Sequence, residues 1–150
     1  MGTFTQITYH IVFATKDRAR CLDAARRNDL LAYIWGITRK TGCHLLRVNA
    51  MEDHVHLLVA LHPSLGLSEF VKKIKIAASG HIRRENLFPG FAGWQVGYGA
   101  FTHNVHERPR LIEYVRNQQQ HHAESGEDSR AELLRLLRES GIEPEERFVK

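Results

Sequence analysis

Two histidines one residue apart, His54 and His56, and a tyrosine and a glutamine one helical turn apart, Tyr114 and Gln118, are the residues whose types and spacing offer chemistry. Side chains on a β-strand alternate between faces, so Val55, Leu57, Val59 and Leu61 share one face of an extended run while His54 and His56 share the other. Two imidazoles on one strand face suit a divalent cation. They suit equally a pair of hydrogen-bonded surface histidines, and H-x-H spacing alone does not choose between the two. Tyr114 and Gln118 project together at the margin of a helix whose inner stripe is Leu111, Val115 and His122. Tyr114 there is either a half-buried packing residue with a wet hydroxyl or a nucleophile. Gln118 is either solvent-facing or a neutral hard ligand through its amide oxygen.

The elements that must position these groups follow from periodicity. Thr5 to Ala14 alternates, with Ile7, Tyr9, Ile11 and Phe13 on one face, and predicts a first strand. Leu30, Leu31, Ile34, Ile37 and Thr38 recur at helical spacing within Leu22 to Lys40, and Gly42 supplies the stop. Cys43 to Met51 and His54 to Leu61 alternate again about a Glu52-Asp53 turn, which predicts an antiparallel hairpin. Ser68 reads as the N-cap of a helix to about Arg84, with Phe70, Val71, Ile74, Ala77, Ala78 and His81 inside. Trp94 to Thr102 is a fourth extended segment; Pro109 opens a helix to about Ser125, and Arg130 to Ser140 forms a last one before Gly141. The order β-α-β-β-α-β predicts an α+β chain: a ferredoxin-like split βαβ antiparallel sheet with two helices on one face and an additional C-terminal helix carrying Tyr114. One domain spans 1–150, with a core over 1–125 and a C-terminal helix and tail over 126–150. His54 and His56 fall on the sheet face that the two helices leave open.

Composition narrows the function classes. The chain of 150 residues is 43% hydrophobic and 25% charged, ordinary for one globular domain, and no apolar run reaches a membrane-spanning length. The N-terminus lacks the pattern of a signal peptide, so a cytoplasmic location is expected. Cys21 and Cys43 lie in no C-x-x-C pair and are expected as free thiols. Lys and Arg number 21 against 17 acidic residues, and the acids gather beyond residue 123, which leaves a basic body suited to a polyanion. Lys72, Lys75, Ser79 and Arg83 form a polar stripe at helical spacing beside Lys73 and Arg84, and Lys16, Arg18 and Arg20 cluster in the loop after the first strand. Each is a phosphate-tracking surface or a solvated face. Phe88, Phe91 and Trp94 sit among glycines, placed either to stack on unpaired bases or to pack over a sheet edge. No G-x-x-x-x-G-K-[ST] loop is present, so no nucleotide cofactor is expected.

Over nearly its whole length the sequence resembles the HUH single-tyrosine transposases of the smallest bacterial insertion sequences and their relatives associated with repetitive palindromes. The resemblance is carried by Tyr9-His10-Ile11-Val12-Phe13-Ala14-Thr15-Lys16, by Asp53-His54-Val55-His56-Leu57-Leu58, by Trp94-Gln95-Val96-Gly97-Tyr98-Gly99-Ala100-Phe101 and by Tyr114-Val115-Arg116-Asn117-Gln118. The run from Gly141-Ile142-Glu143 to Arg147-Phe148 is similar to that family's C-terminal end. A departure is Thr102-His103-Asn104-Val105-His106, where the family often has a small polar run.

The resemblance implies that His54 and His56 are metal ligands, that Gln118 is the third protein ligand and that Tyr114 is the nucleophile. It further implies Mg²⁺ or Mn²⁺ as cofactor, single-stranded DNA with hairpin ends as partner, and a homodimer in which the helix carrying Tyr114 can dock against the partner's histidines. Two neutral imidazoles and an amide leave a cation's charge undiminished toward a DNA phosphate. Exchange of one diester for another needs no nucleotide triphosphate. The rivals are a single-stranded nucleic-acid-binding module on the same sheet, whose aromatic ribonucleoprotein signature is missing here, and a hydrolase with water as nucleophile and Tyr114 only packing.

Overall fold

The computed structural model describes residues 1–144; Arg147 and Phe148, which carry part of the C-terminal resemblance, lie outside the described residues. The elements are β1 (Thr8–Ala14), α1 (Ala24–Lys40), β2 (His44–Ala50), β3 (His54–Ala60), α2 (Leu67–Arg84), β4 (Gly99–His103), α3 (Arg108–Arg116), α4 (Gln118–Ser125) and α5 (Ser129–Glu139). The sheet order is β2-β3-β1-β4 with every neighbouring pair antiparallel, the ferredoxin-like arrangement expected from the element order.

The alternating residues pack as their period requires. Ile11 and Phe13 of β1, Leu45 and Val48 of β2, and Val55, Leu57 and Val59 of β3 meet Leu30 and Ile34 of α1 and Phe70, Val71, Ile74, Ala78 and Ile82 of α2 in one core. Each such Val, Leu, Ile or Phe side chain contributes roughly 1.5–3 kcal/mol when fully buried, so this face holds the sheet to α1 and α2.

The opposite face is where expectation and structure part. It is covered, not open. Leu58 packs with Leu111 and Val115 of α3, while Val12 and Phe101 pack with Leu136 of α5. A half-polar strand face is buried here because the three helices after β4 fold back over it, and their apolar positions were visible as stripes without a stated destination.

Smaller differences have local causes. β1 starts at Thr8 rather than Thr5, because Ile7 is exposed and finds no strand partner. Gly66, not Ser68, is the N-cap of α2, and Ser68 lies inside the helix. β4 is shorter than the stretch from Trp94: Trp94 makes an isolated bridge to Thr15, and the carbonyls of Gln95 and Gly97 accept from the Lys75 ammonium instead of a strand. The single helix expected after Pro109 is two, broken at Asn117 (φ −98, ψ 26), where the Asn49 side chain captures the carbonyls of Val115 and Arg116. Gly126 (φ 68) takes the left-handed turn that returns the chain from α4 into α5. Cys21 and Cys43 are free thiols. No helix among the described residues is long and apolar enough to cross a membrane.

Candidate active site

The register of the sheet sets the histidines. His56 of β3 lies opposite Val12 of β1 and Asn49 of β2, and His54 lies opposite Ala14. His10, two residues before Val12 on β1, lies on the same face as both. All three rings are essentially inaccessible: His10 and His54 are 1% exposed and His56 0%. A face that carries three buried imidazoles must satisfy them internally.

Each ring is held through one nitrogen. His54 Nδ1 lies 2.8 Å from Asp53 Oδ1, His56 Nδ1 lies 2.7 Å from His10 Nε2, and His122 Nδ1, on α4, meets the carbonyl of Glu127. The other nitrogens converge on one carboxylate oxygen. Glu132 Oε1 of α5 stands 2.9 Å from His56 Nε2, 3.2 Å from His54 Nε2 and 3.4 Å from His122 Nε2. The second oxygen of Glu132 accepts a short hydrogen bond from the Tyr114 hydroxyl, and Arg135 Nη2 donates to the same hydroxyl at 2.7 Å. Glu132 and Arg135 are three residues apart on α5, so one helix face presents both to Tyr114.

The electrostatics follow from this crowding. Burial opposes charge on Glu132, but His56, His122 and His54 around it hold its carboxyl far below the usual carboxylate range. Burial likewise opposes charge on His54, yet Asp53 and the facing Glu132 carry its pKa up to about 9. For His56 burial wins over the attraction of Glu132 and lowers the pKa, and His10 is pushed well below its ordinary value by burial and by the His56 ring. Burial, reinforced by the Glu132 charge, pushes the Tyr114 phenol above its usual value, so this tyrosine is a neutral hydroxyl as it stands.

The donor set fits a divalent cation. His54 Nε2 is buried and lies 3.2 Å from Glu132 Oε1 without a well-formed hydrogen bond, a position where a cation could take the place of the ring's proton. Ligand atoms from His54, His56, His122 and Glu132 all lie within 4.8 Å of one another. Gln118 is 0% exposed rather than solvent-facing; its Oε1 lies 3.0 Å from His122 Nε2 and its Nε2 donates to the Tyr114 carbonyl at 3.3 Å.

Of the residues singled out from sequence, His54, His56, Tyr114 and Gln118 therefore come together in one cluster. The basic residues divide. Lys16 and Arg18 line an open cleft of about 600 Å³ with Trp94, Tyr98, Leu133 and Leu137, and Arg18 donates to Ser129 of α5 at 2.7 Å. Lys72, Lys73 and Arg83 are exposed on α2, which packs on the sheet face away from the histidines. Lys75 is half-buried, donating to Gln95 and Gly97 and lying 5.6 Å from the centre of the Phe13 ring. Phe91 and Trp94 pack edge to face, their centroids 4.9 Å apart, and Phe88 is in the core.

Sequence reasoning missed His10, Asn49, His122 as a site residue, Glu132 and Arg135. His10 carried a signal: it shares the parity of Val12, on the face opposite Ile11. Glu132 carried none, since its place in the site depends on how α5 folds back.

The sequence profile of the family described as Transposase IS200 like matches residues 3–118. Among curated proteins, the ISDra2 transposase TnpA of Deinococcus radiodurans is 26% identical over 123 residues, covering 78% of this chain and 87% of the relative. A solved Deinococcus radiodurans R1 protein described as a transposase superposes with a TM-score of 0.59 at 27% identity, over 79% of this chain and 95% of the other. A REP-associated tyrosine transposase, solved bound to a REP hairpin, shares the fold at a TM-score of 0.58 and 15% identity, over 81% of this chain and 74% of the other.

Proposed function

Because the chain belongs to the IS200-like transposase family, we propose that it cleaves and rejoins single-stranded DNA, with Tyr114 as nucleophile and a divalent cation, Mg²⁺ or Mn²⁺, held at His54 and His56 with Gln118 alongside. The observation that carries this reading is the junction at Glu132: one carboxylate touches the Tyr114 hydroxyl with one oxygen and faces the paired imidazoles with the other. Nucleophile and cation donors are thus one residue apart in space.

A bound cation would offset the negative charge that grows on the phosphate oxygens during attack. The protein's own groups do the rest. Tyr114 Oη forms the new bond to phosphorus while the bond from phosphorus to the 3′-oxygen breaks, leaving a 5′-phosphotyrosine and a free 3′-hydroxyl. Glu132 orients the hydroxyl through its hydrogen bond, the phenol proton passes to solvent as the bond to phosphorus forms, and the departing 3′-oxygen takes a proton from solvent. Arg135, donating to the phenol oxygen, favours the charge that develops there. Reversal by the same or another 3′-hydroxyl rejoins the strand without a nucleotide triphosphate. Two further features of the reading are a substrate with hairpin ends, supported by the hairpin-bound structural neighbour, and a homodimer. The whole chain acts as one unit, since residues beyond 125 supply Glu132 and Arg135.

The test is a denaturing gel with labelled single-stranded DNA carrying the hairpin and flanks that adjoin the gene. The wild-type chain is expected to give a covalent adduct with cation present, and Tyr114→Phe none while binding persists. An undiminished adduct in Tyr114→Phe would place the nucleophile elsewhere; binding without any adduct in the wild type would favour the binding module.

A further inference from the structure

We propose that the cleft between the loop after β1 and the segment before β4 is a nucleobase subsite, in which one unpaired base beside the scissile phosphate stacks on Tyr98 while the backbone phosphate next to that base lies against Lys16. The inference rests on the single-stranded DNA reading above and adds to it the place where the strand is gripped next to the site.

The cleft is made by a mismatch in register. Val12 of β1 pairs with Gly99 of β4, yet Thr15 bridges Trp94, so four residues, 95–98, stand opposite two, Phe13 and Ala14. The surplus leaves the ladder, as in a bulge at a sheet edge, and Gly97 takes the left-handed φ of 89 that lets the chain bow out. The bow is pinned along its length. The Gln95 N–H donates to the Ala14 carbonyl at 2.8 Å, Gln95 Oε1 accepts from the Asp17 N–H at 3.0 Å, and the Lys75 ammonium donates to the carbonyls of Gln95 at 2.9 Å and Gly97 at 2.6 Å. Tyr98 is therefore carried on a fixed shape.

The lining matches a nucleotide. Val12, Trp94, Leu133 and Leu137 make it largely apolar, while Lys16 and Arg18 bring two cations against one acid, Asp17. A flat apolar ring joined to an anion answers both halves, and the volume of about 600 Å³ lies in the range of small-molecule sites. The aromatic residues differ in what they have left to offer. Trp94 packs edge to face with Phe13 and with Phe91, and its indole N–H donates to the Lys75 carbonyl at 3.0 Å. Tyr98 is exposed and has neither a ring neighbour nor a hydrogen bond among the described residues. Lys16 is exposed too, and its ammonium has no ion pair among the described residues. A free aromatic face and a free cation on one cleft are the two grips that single-stranded DNA uses, and stacking serves any base.

The cleft is continuous with the site. Ser129, in its lining, donates to Asp53 Oδ2 at 2.8 Å, and Asp53 Oδ1 lies 2.8 Å from His54 Nδ1. Val12, also in the lining, is the register partner of His56. A strand whose phosphate reaches the histidines thus carries a neighbouring nucleotide across Tyr98.

The experiment uses the full wild-type chain in chelator, so that binding is read apart from cleavage, and single-stranded oligonucleotides of the sequence flanking the gene, each with one abasic site. Affinity by fluorescence anisotropy is expected to fall about fivefold or more at one position beside the scissile bond and little at its neighbours. Tyr98→Ala is expected to lose the same factor on intact DNA and nothing further on that abasic strand, because both lesions delete one stack. Additive losses, a profile without a sensitive position, or no binding at all would overturn the subsite. Should Tyr98→Ala not fold, 5-iodouracil at the sensitive position is expected to crosslink to Tyr98 of the wild type on irradiation; a crosslink to another residue, or none, would overturn it equally. Adduct formation is measured separately. Coupling between Tyr98 and the base without any adduct sinks the transposition chemistry and leaves the subsite standing, and an adduct with additive losses does the reverse.

Discussion

Asn49 should decide whether the tyrosine helix stays docked. It is 7% exposed on β2, and its Nδ2 donates to the carbonyls of Val115 at 2.9 Å and Arg116 at 3.0 Å, at the end of α3 where a helix runs out of internal partners. Its side chain also exchanges hydrogen bonds with the Gln119 amide, at 3.0 Å and 2.9 Å. Asn49→Ala strands at least one buried carbonyl, which costs roughly 1–3 kcal/mol. Asn49→Asp keeps the shape but turns a carboxylate oxygen toward two carbonyl oxygens, so it should cost at least as much. If α3 and α4 open as a local unit, that loss multiplies their opening about 5- to 150-fold. Hydrogen exchange read by mass spectrometry should accelerate by that factor in peptides over residues 108–125 while those over β1 and β3 stay as in the wild type. Unchanged exchange over 108–125 in Asn49→Asp, or equal acceleration in β1, would refute the idea that this side chain latches the helix.

Other outcomes follow from the same geometry. Lys16→Ala should lower the slope of log affinity for single-stranded DNA against log salt by about one phosphate's worth, whereas Lys75→Ala, whose ammonium is engaged with Gln95 and Gly97, should leave the slope unchanged and loosen that loop instead; equal slopes for the two variants would contradict this division. Mn²⁺ at a hundredfold excess over its dissociation constant should stabilise the fold by about 2.7 kcal/mol and raise the melting temperature by roughly 5–10 °C, a shift that chelator or His54→Ala removes; a melt indifferent to Mn²⁺ would speak against the centre. Glu107 accepts from the Asn104 backbone N–H in a capping box before α3, and that hydrogen bond holds its carboxyl below the usual range. A depressed carboxyl stabilises above its unfolded value and loses that effect as pH falls through the folded one, so the stability difference between wild type and Glu107→Gln should be present at neutral pH and close in acid; a gap independent of pH would count against it.

Much of the fold was legible because its core face obeys the simplest periods. Val55, Leu57 and Val59 alternate, and Phe70, Ile74 and Ala78 recur by turns, so the hairpin and α2 could be read to within a few residues. The site was half legible. Local spacing paired His54 with His56 and Tyr114 with Gln118 but left a packing reading open for each, and the resemblance supplied their roles. Glu132 and Arg135 were not joined to them, because an acid and an arginine three residues apart on an amphipathic helix are ordinary surface residues until Gly126 turns α5 back over the sheet. The break at Asn117 was hidden for the same reason: nothing in Val115 to Gln118 ends a helix, and the group that marks the break is Asn49, far away in sequence. The second sheet face was expected open because two helices suffice to bury one face, yet Leu58 and Val12 beside the histidines are apolar and needed a cover of their own.

On the reading proposed above, that cover bears on how DNA would reach the site. With α3, α4 and α5 in place, His54, His56 and Glu132 are sealed from solvent, while Tyr114 is only partly buried. A phosphate can enter only if some of these helices yield, and they differ in what holds them. α3 is fixed by Leu111 and Val115 against Leu58 and by the Asn49 latch, whereas α5 is fixed by Leu136 against Val12 and Phe101 and by the polar contacts of Ser129 and Glu132. The contacts of α5 at its N-terminal end are polar, and the cleft beside it carries Lys16 and Arg18. On the proposed reading a polyanion arriving there would meet these cations first, and its phosphate would then take the place that Glu132 Oε1 fills beside the imidazoles. Displacing one carboxylate by one phosphate diester would preserve the local charge, so on that reading loading by exchange needs no vacant pocket.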